Sequence, residues 1–508
     1  MQLSKENLRN IPSGSTVVVP DEKIFSLPEK VLQFGTGVLL RALPDYFFDK
    51  ANRAGIFHGR VVVVKSTPLG GTEEFDEQDN LYTVCVRGIE NNEKLEEFII
   101  NSSISRVISA KGAWSSILQC AHNRELGIVI SNTTEVGITL TNDDIHLSPP
   151  RSFPGKLLSF LFERYKAFNG SDESGLIIIP TELIVDNGTK LRSIVLELAV
   201  MNKLEDNFIQ WVKTANHFCN SLVDRIVPGK LSQNDQAETE KQLGYEDKLM
   251  IMAESFRLWA IESNSKKVIE TLSFARADEG VVIAPDIEIF RELKLRLLNG
   301  THSFSCGLAF LAGFKMVREA MNNSQFSSFI QNVALNEIAR AMSDSRISYA
   351  DACNFARRVL DRFRNPFIDH YWINIAVQYS AKMKQRNVPL LIKHYSKFSQ
   401  TPAHMALGFA GFLLFMKCDI NESGNYVGKI DGLEYPVQDD HAGYFAEKWS
   451  SNNIDDLVDE TFRDEEFWGT DLSLLNGFAE AVKKDLRLLT RDGSVNAIQQ
   501  LELNKTIV

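Results

Sequence analysis

Three polar residues of different chemistry lie close together in the segment from residue 291 to residue 307: Lys294, Asn299 and His302. On one α-helix, at about 100° per residue, Lys294 and His302 lie two turns apart on one side, and Asn299 lies around the same broad face. Burial penalises the ammonium form of a lysine, so a partly desolvated Lys294 can exchange a proton with an alcohol. An amide and an imidazole can donate hydrogen bonds to the reacting oxygen. The spacing therefore indicates alcohol dehydrogenase chemistry that needs no metal.

The same cluster has an ordinary structural interpretation. Lysines on amphipathic helices mostly extend into water, and a single helical histidine is more often a core or surface residue than a catalyst. Gly300, which lies between Asn299 and His302, costs a helix about 1 kcal/mol. That cost indicates either close packing against a ligand or the end of the helix.

A second candidate site lies near the start of the chain, where VLQFGTGVLLRAL places Gly35 and Gly37 after a predicted strand and before an amphipathic stretch. Amide groups at such a helix start can hold a pyrophosphate. The first glycine permits a tight turn, and the second lets the backbone approach the phosphates. We predict cofactor contacts from Phe34, Gly35 and Gly37. The third motif position is Leu40, so the motif is incomplete, and a plain β-turn is an equal alternative.

Two further strand ends supply candidate cofactor contacts. The segment RVVVVKST ends in Lys65 and Ser66, where dinucleotide folds usually carry an acidic residue that accepts from the ribose 2′-hydroxyl. Without that acid, both NAD and NADP remain open, and Lys65 is equally well interpreted as a solvated strand end. In GIVISNTTEVGI, Asn132, Thr133 and Glu135 follow a buried strand, where open α/β sheets bind ligands. A polar loop there is also ordinary capping material.

The hydrophobic pattern predicts the scaffold that positions these residues. In the first half of the chain, short apolar β-rich runs alternate with helical patterns, as in a parallel sheet covered by helices. The clearest strands are residues 31–34, 60–65, 127–131 and 176–179. After about residue 285, helical patterns continue as far as residue 488. We therefore predict an α/β protein, with a Rossmann-like parallel-sheet domain over residues 1–285 and a mostly α-helical domain over residues 286–508.

Some stretches show neither the strand pattern nor the helix pattern. Residues 169–175, 228–247 and 419–432 are polar and are predicted as loops or insertions. The longest apolar run, residues 406–416, has about half of the roughly 20 residues needed to cross a bilayer, so we predict a buried helix there.

Composition excludes several classes of partner. The 508 residues carry a net charge of −11, which argues against nucleic acid or an anionic membrane as the main partner. The six cysteines are scattered without zinc-type spacing, which is typical of reduced thiols in the cytosol. The N-terminus lacks the pattern of a secretory signal. These features predict a cytoplasmic protein without a metal site.

Several motifs together resemble the mannitol dehydrogenase group of the polyol-specific long-chain dehydrogenase/reductase family. The resemblance extends over nearly the whole chain and depends on VLQFGTGVLLRA, LYTVCVRG, ISNTTEVGI, IIIPTELIVDNG, LVDRIVPG, KLRLLNGTH, RFRNPF and YPVQDD. Each motif alone is weakly specific, whereas the set is highly specific.

The resemblance assigns roles to particular residues. It implies that Lys294 is the general acid and base, and that Asn299 and His302 polarise the carbonyl. It also implies that Asp224, in LVDRIVPG, lies near the substrate, although a helix-terminal or ion-pairing carboxylate is an equal alternative. Leu183 replaces an asparagine of the mannitol enzymes, which implies a different substrate pocket.

A uronate substrate, which the resemblance implies, needs a partner for its carboxylate. Arg357, Arg358, Arg362 and Arg364 precede Asn365, and arginine offers a planar fork that matches a carboxylate. Basic residues also favour the last turn of any helix, so some of these arginines are surface residues. Our hypothesis is that Arg362 or Arg364, together with Asn365, binds the substrate.

The resemblance thus predicts reversible reduction of the keto-uronate tagaturonate to altronate, with NAD as cofactor and NADP as an open alternative. Fructuronate reduction and mannitol-type polyol oxidation are alternatives within the family. A nucleotide-sensing protein without turnover is an alternative of another class. The expected partner is a small hexuronate or aldonate, with no nucleic acid and no membrane, and the protein is expected to be a monomer or a small homo-oligomer.

Overall fold

The computed structural model describes residues 1–12, 16–67, 71–133, 137–430 and 432–505. The chain divides into two compact units. The N-terminal unit comprises Met1–Gly88 and Lys94–Ile287, and the C-terminal unit comprises Ile89–Glu93 and Glu288–Val508.

A parallel sheet is the centre of the N-terminal unit. The strands of the first half of the chain are β1 (Val17–Val18), β2 (Glu29–Phe34), β3 (Arg60–Lys65), β4 (Tyr82–Glu90), β5 (Glu93–Asn101), β6 (Ile104–Ser109), β7 (Ile128–Ser131), β8 (Ile177–Pro180), β9 (His217–Phe218), β10 (Ser221–Asp224), β11 (Ile251–Glu254), β12 (Leu258–Glu262) and β13 (Val281–Ala284). Six of them form a sheet in the order β6-β3-β2-β7-β8-β9, and every pair in it is parallel. Counted along the chain within this sheet, the order is 3-2-1-4-5-6, which is that of dinucleotide-binding folds.

The central strands carry continuous apolar runs because both faces of the sheet are covered. Val61 and Val63 pack into the core on one face, and Val62 and Val64 pack into the core on the other. All four side chains are fully buried. This arrangement confirms the four strands predicted from continuous apolar runs.

Helices connect and cover these strands. Those of the N-terminal unit are α1 (Val38–Ala42), α2 (Pro44–Arg53), α3 (Glu73–Glu77), α4 (Ala110–Cys120), α5 (Phe153–Ala167), α6 (Asn187–Met201), α7 (Asp206–Ala215), α8 (Gln233–Leu243) and α9 (Lys266–Thr271), with 3₁₀ turns at Glu6–Asn10, Glu22–Ser26, Asp172–Ser174 and Ser273–Ala277. Two smaller sheets, in the orders β1-β5-β4-β11 and β10-β12-β13, complete the unit.

Helix α8 corrects the prediction that residues 228–247 form a loop. The helix has almost no apolar face, since its buried residues are Thr239 and Leu243. Its ends are capped instead: the Ser232 side chain accepts from the amide of Asp235, and Gly244 ends the helix with a φ of 82°. Periodicity therefore missed a helix that capping stabilises.

The C-terminal unit is mainly helical, as predicted. Its α-helices are α10 (Glu288–Leu293), α11 (Thr301–Leu311), α12 (Val317–Asn322), α13 (Ser324–Gln331), α14 (Ala339–Met342), α15 (Tyr349–Arg364), α16 (Trp372–Ile375), α17 (Tyr379–Lys382), α18 (Val388–Tyr395), α19 (Ala403–Phe415), α20 (Ala442–Ser451), α21 (Ile454–Arg463), α22 (Glu465–Trp468) and α23 (Phe478–Lys505). A 3₁₀ turn lies at Leu472–Leu474, and π-helical segments lie at Lys294–Gly300, Asn332–Ile338 and Met383–Asn387. The polar insertion around residues 419–432 contains strands that the sequence did not indicate: β14 (Asp419–Ile420), β15 (Tyr426–Ile430) and β16 (Leu433–Pro436), which form an antiparallel sheet.

Glycines let α11 and α19 pack closely in the core of the C-terminal unit. A Cβ atom on Gly307 would lie 2.4 Å from the carbonyl oxygen of Gly411, and one on Gly408 would lie 2.6 Å from the carbonyl oxygen of Phe304. Helix α19 is the buried helix predicted from the apolar run. In the described parts of the chain, no helix combines the length and the apolar character that crossing a membrane requires.

Candidate active site

The ends of neighbouring strands form one edge of the parallel sheet. In register, Phe34 is paired with Val64 on one side and with Ser131 on the other. Backbone hydrogen bonds extend this alignment by one residue, from Gly35 N to Val64 O (3.0 Å) and from Asn132 N to Phe34 O (3.2 Å). The strand order reverses between β2 and β7, and open α/β sheets bind ligands beside such a reversal.

The two glycines after β2 have different local roles. Gly35 has a φ of 129°, and a Cβ there would lie 2.9 Å from Leu40 Cδ1 and 3.2 Å from the carbonyl oxygen of Asn132. Gly37 caps α1 with an ordinary φ of −60°, and a Cβ there would meet no atom within 4 Å. Gly35 is therefore required by the turn itself, whereas Gly37 leaves open space beside the backbone. The segment passes directly from strand to helix, which excludes the plain β-turn.

A buried polar network lies behind the glycine turn. Gln33 Nε2 donates to the carbonyl of Gly35 (3.3 Å) and to Asp45 Oδ2 (3.2 Å), and the side chains of Gln33 and Asp45 are fully buried. Burial raises the pKa of Asp45 to about 7, although the hydrogen bond from Gln33 and the charge of Arg41 oppose this change. The Asp45 carboxyl group therefore titrates close to neutral pH.

The other predicted cofactor contacts in this region differ in accessibility. The ring of Phe34 is fully buried and packs edge-to-face on Phe153 at 5.2 Å, so only the backbone of Phe34 lies at the sheet edge. Lys65 is also buried, and its Nζ donates to the carbonyl of Thr67 (2.8 Å). The interpretation of Lys65 as a solvated strand end is therefore wrong. Glu135 lies outside the described residues.

Glu182, which the sequence analysis did not single out, holds the loop after β7. Its Oε1 accepts from the amide and the hydroxyl of Thr133 (2.9 and 3.0 Å), and its Oε2 accepts from Ser131 Oγ (3.1 Å). Asn132 Nδ2 donates to the carbonyl and the hydroxyl of Thr181 (3.0 Å each). Burial raises the pKa of Glu182, and these hydrogen bonds oppose the increase. The sequence offered one signal for Glu182, because it is an acidic residue shortly after a buried strand, β8.

Asp224 is the last residue of β10 and is buried. It is paired in register with Leu258 of β12, in one of the smaller sheets rather than in the parallel sheet. Its position near the substrate stays a prediction.

In the C-terminal unit, the predicted catalytic residues lie across a change of helix type. The π-helical segment Lys294–Gly300 joins α10 to α11, so Lys294 and Asn299 belong to this segment and His302 to the first turn of α11. Hydrogen bonds in a π-helix run from residue i to i+5, so its turns are wider than those of an α-helix. The predicted single α-helix is therefore wrong in detail. Such π turns are rare and often lie at functional sites.

A second π-helical segment, Met383–Asn387, packs beside the first. Arg296 Nη1 donates to the carbonyl of Arg386 (2.9 Å), and Asn387 Nδ2 donates to the carbonyl of Gly300 (3.0 Å). These side chains satisfy backbone groups at the irregular turns, where the α-helical pattern is interrupted.

Gly300 is a packing residue within a continuous helical stretch. A Cβ atom there would lie 3.1 Å from Leu390 Cδ1 of α18. The helix continues through Gly300 into α11, so the interpretation of Gly300 as a helix end is wrong. Its close packing is against another helix of the unit.

His302 is buried against aromatic rings. It stacks on Phe363, with centroids 4.0 Å apart and planes at 12°, and meets His370 and Trp372 edge-on at 4.9 and 6.1 Å. Among the described residues, its Nε2 atom has no hydrogen-bond partner. Burial lowers the pKa of His302 well below its usual range, and nearby positive groups lower it further. The imidazole is therefore neutral at pH 7, and the tautomer with its proton on Nε2 can donate to an incoming oxygen.

Three cationic side chains lie close enough to His302 to lower its pKa: Arg386, Arg362 and Lys382. Arg386 Nη1 donates to Ser303 Oγ (3.3 Å), and Ser303 Oγ donates to the carbonyl of Asn299 (3.0 Å). Burial lowers the pKa of Lys382, and the charge of Arg386 lowers it further. Of the arginines named from the sequence, the structure thus brings Arg362 to the histidine.

Arg364 and Asn365 have other contacts. Arg364 Nη1 contacts Asp361 Oδ1 (3.3 Å) and Asn92 Oδ1 (3.2 Å). Asn365 is buried, and its Oδ1 accepts from the amide of Phe367 (3.0 Å), which stabilises the turn after α15. Their predicted contacts with a substrate stay predictions.

Sequence reasoning did not single out His370, Lys382 or Arg386. Basic residues such as those of the KMKQRN segment are common on solvated helix faces, so the segment gives no local signal of a site. Their grouping around His302 depends on how the second π-helical segment packs against the first, which periodicity does not report.

Comparison with known families identifies the class of protein. The chain matches the mannitol dehydrogenase Rossmann domain over residues 29–272 and the mannitol dehydrogenase C-terminal domain over residues 286–490. The chain belongs to the mannitol dehydrogenase family, as its motifs predicted.

Curated relatives place the chain among oxidoreductases. The altronate oxidoreductase of Bacillus subtilis (strain 168) is 36% identical over 478 residues, which cover 93% of this chain and 95% of the relative. The altronate oxidoreductase of Klebsiella pneumoniae (strain 342) is 35% identical over 483 residues, which cover 93% of this chain and 97% of the relative. The chain is accordingly an oxidoreductase, which confirms the predicted class of enzyme.

Solved structures with similar folds are polyol dehydrogenases. A Pseudomonas fluorescens mannitol 2-dehydrogenase in ternary complex with NAD and D-mannitol matches with a TM-score of 0.63 and 21% identity, covering 99% of both chains. A D-sorbitol dehydrogenase in substrate-free form matches with a TM-score of 0.77 and 18% identity, covering 98% of this chain and 100% of the other. At these identities the similarity concerns the fold, and it agrees with the predicted Rossmann-like and helical architecture.

Proposed function

We propose that this chain catalyses the reversible, NAD-dependent reduction of the keto-uronate tagaturonate to altronate. The observation that carries the proposal is the Nε2 atom of the buried, neutral His302, which has no hydrogen-bond partner in the described parts of the chain. His302 lies on the same helical stretch as Lys294 and Asn299. A buried polar atom without a partner costs about 1–3 kcal/mol, which a substrate oxygen at this position would offset. The names of the relatives support a sugar-acid substrate.

The edge of the parallel sheet supports a dinucleotide as the source of hydride. Its strand order is the one that binds dinucleotides beside the reversal point, and Gly37 leaves the backbone open to a pyrophosphate. The NAD in the mannitol 2-dehydrogenase complex supports NAD as the cofactor. Because β3 ends in Lys65 and is followed by Ser66 rather than by an acid, NADPH is to be tested alongside NADH.

In this proposal, Lys294 is the general acid and base. During reduction, hydride adds to the carbonyl carbon, and the ammonium group of Lys294 protonates the alkoxide that forms. During oxidation, the neutral amine accepts the hydroxyl proton. The Asn299 amide and the Nε2–H group of His302 donate hydrogen bonds to the oxygen as its charge builds, in a site where burial strengthens them.

One spectrophotometric panel tests the substrate and the cofactor. Consumption of NADH and NADPH is followed with tagaturonate, fructuronate, fructose and fructose 6-phosphate. We expect the highest kcat/KM with NADH and tagaturonate. A preference for fructuronate would indicate a fructuronate reductase, and a preference for fructose would indicate a mannitol-type dehydrogenase. Cofactor binding without turnover on any substrate would indicate a nucleotide-sensing protein.

Replacing Lys294 tests the proposed proton transfer. We expect Lys294→Ala to lower kcat by about 10²- to 10⁴-fold, the usual contribution of a general acid or base, and to leave NADH affinity unchanged. Lys384→Ala is the matched control, because Lys384 is an exposed lysine of the second π-helical segment. A Lys294→Ala protein that binds NADH and keeps near-normal turnover would rule out this role.

A further inference from the structure

We propose that Arg386 recognises the carboxylate of the substrate and thereby distinguishes hexuronates from neutral keto-sugars. The inference rests on the proposed function. In this inference, Arg386 binds the charged end of the substrate. Neither the glycine turn nor the cluster of Lys294, Asn299 and His302 supplies such a contact.

Lys382 and Arg386 place positive charge in the unit, and among the described residues no carboxylate contacts either group, although Asp439 lies near enough to Lys382 to oppose the lowering of its pKa by burial. Both side chains are half-buried, and they lie four residues apart on one helical stretch. Their hydrogen bonds among the described residues go to neutral groups: Arg386 Nη1 donates to Ser303 Oγ (3.3 Å), and Lys382 Nζ donates to the carbonyl of Ile375 (2.8 Å). Buried cations are usually paired with an anion, because desolvation of a charge is costly.

Other arginines of this protein with little exposure bind either carboxylates or several backbone carbonyls. Arg164 donates four hydrogen bonds to carbonyls, and Arg225 donates two. Arg87 pairs with Glu96 (2.7 Å) and with Asp235 (2.8 Å), and Arg257 pairs with Asp278 (2.8 Å). Arg386 differs from both kinds, because among the described residues its side chain contacts no carboxylate and donates a single hydrogen bond, to the hydroxyl of Ser303. A substrate carboxylate would complete the same kind of pair.

Arg386 also lies beside the proposed reacting groups. Ser303 Oγ accepts from Arg386 Nη1 and donates to the carbonyl of Asn299, and Ser303 directly follows His302. The contact with Ser303 uses one of the five guanidinium N–H donors, and the planar fork of arginine matches the two oxygens of a carboxylate. An anion held by Arg386 would therefore lie beside the histidine that binds the keto oxygen.

Arg386 differs from the arginines named from the sequence in its contacts and its exposure. Arg364 contacts the carboxylate of Asp361 (3.3 Å), which already offsets part of its charge. Arg362 is only 7% exposed, whereas Arg386 is half-buried and retains accessible surface. Arg386 thus combines access, the absence of a carboxylate partner in the described residues, and contact with the segment that carries Asn299.

Substrate discrimination by Arg386 can be measured with one pair of substrates, tagaturonate and the neutral ketose tagatose, in the presence of NADH. We expect Arg386→Gln to lower kcat/KM for tagaturonate by about 10- to 100-fold, mainly through KM, as is usual for a lost charge-assisted hydrogen bond. The value for tagatose should change by less than about 3-fold, because tagatose has no carboxylate for Arg386 to bind. Glutamine keeps an amide that can still donate to Ser303.

Two further variants make the result specific. Lys384→Gln removes the same charge from the same π-helical segment at an exposed position, so the preference for tagaturonate over tagatose should stay at the wild-type value. Arg386→Lys keeps the charge but loses the planar fork, so it should lower the preference to an intermediate value. Equal losses with both substrates in Arg386→Gln and Arg386→Lys would overturn the inference, because they would indicate a purely structural role.

The wild-type measurement separates the two proposals. If the wild-type enzyme reduces no hexuronate, the proposed function fails, and the inference fails with it. If the wild-type enzyme reduces tagaturonate and the preference is unchanged in both Arg386 variants, only the inference fails.

Discussion

Replacing Asp45 by asparagine tests whether a buried acid behind the glycine turn titrates near neutral pH. Asp45 lies in α2 and is fully buried, and Gln33 Nε2 links it to the carbonyl of Gly35. Asparagine keeps the shape of the side chain and an oxygen that can accept from Gln33, but it cannot ionise. The substitution therefore removes the charge with little change in packing.

The magnitude follows from the pKa of Asp45 in the two states. Burial raises it from 3.8 to about 7 in the folded protein, so the folded state holds a proton that the unfolded state has released between these two pH values. Because the folded-state pKa is the higher one, the stability from this group is fully present below about pH 4 and is lost as the pH rises to about 7. The free energy of unfolding of the wild type falls by about 1.4 kcal/mol per pH unit in this window, on the order of 4 kcal/mol in total.

Urea denaturation at several pH values between 5 and 8, followed by tryptophan fluorescence and circular dichroism, measures this effect. We expect Asp45→Asn to be more stable than the wild type at pH 8. The difference in the free energy of unfolding should grow by about 3 kcal/mol between pH 5 and pH 7 and then level off. Parallel curves of stability against pH for the two proteins would refute the reasoning, because they would show that Asp45 does not titrate in this window.

Asp49 provides a contrast one turn further along α2. It is also buried, but its Oδ1 accepts from the amide and the hydroxyl of Ser102 (2.9 Å each), and its Oδ2 pairs with Arg53 (2.8 Å). Asp49→Asn would leave Arg53 without its partner, so we expect it to lower stability at pH 7. If Asp45→Asn raises the stability and Asp49→Asn lowers it, the difference shows the effect of an ion-pair partner on a buried acid.

Two glycine substitutions test the close approaches on which the fold depends. Gly35→Ala should weaken NADH binding by at least about 10-fold in a fluorescence titration, because alanine is strained at a φ of 129° and its Cβ would lie 2.9 Å from Leu40 Cδ1. Unchanged affinity would mean that the turn tolerates a side chain. Gly307→Ala should destabilise the protein by about 1–3 kcal/mol in thermal unfolding, because its Cβ would lie 2.4 Å from the carbonyl oxygen of Gly411 and α11 and α19 would have to separate. Gly112→Ala, in α4, meets no atom within 4 Å and is the control; equal loss in both variants would contradict the packing argument.

Local patterns were sufficient for the parallel sheet and for the glycine turn. The run from Val61 to Val64 is apolar at every position because both faces of β3 are buried, and this pattern can be read without a structure. The glycines after β2 could also be singled out, because a φ of 129° at Gly35 is a local requirement, but only the structure excluded the plain β-turn. By contrast, α8 was missed, since its end caps and its ion pair from Arg87 to Asp235 replace an apolar face.

Short motifs and periodicity were enough to predict the fold class and the family and to select Lys294, Asn299 and His302 as candidate catalytic residues. The packing of the two π-helical segments, which brings Arg386 to Ser303, became visible only in the folded protein. Those contacts join side chains and backbone groups more than 80 residues apart in the chain, such as Arg386 and Ser303 with a separation of 83. A hydrogen bond or an unpaired charge of this kind depends on the packing of helices, which no local pattern encodes.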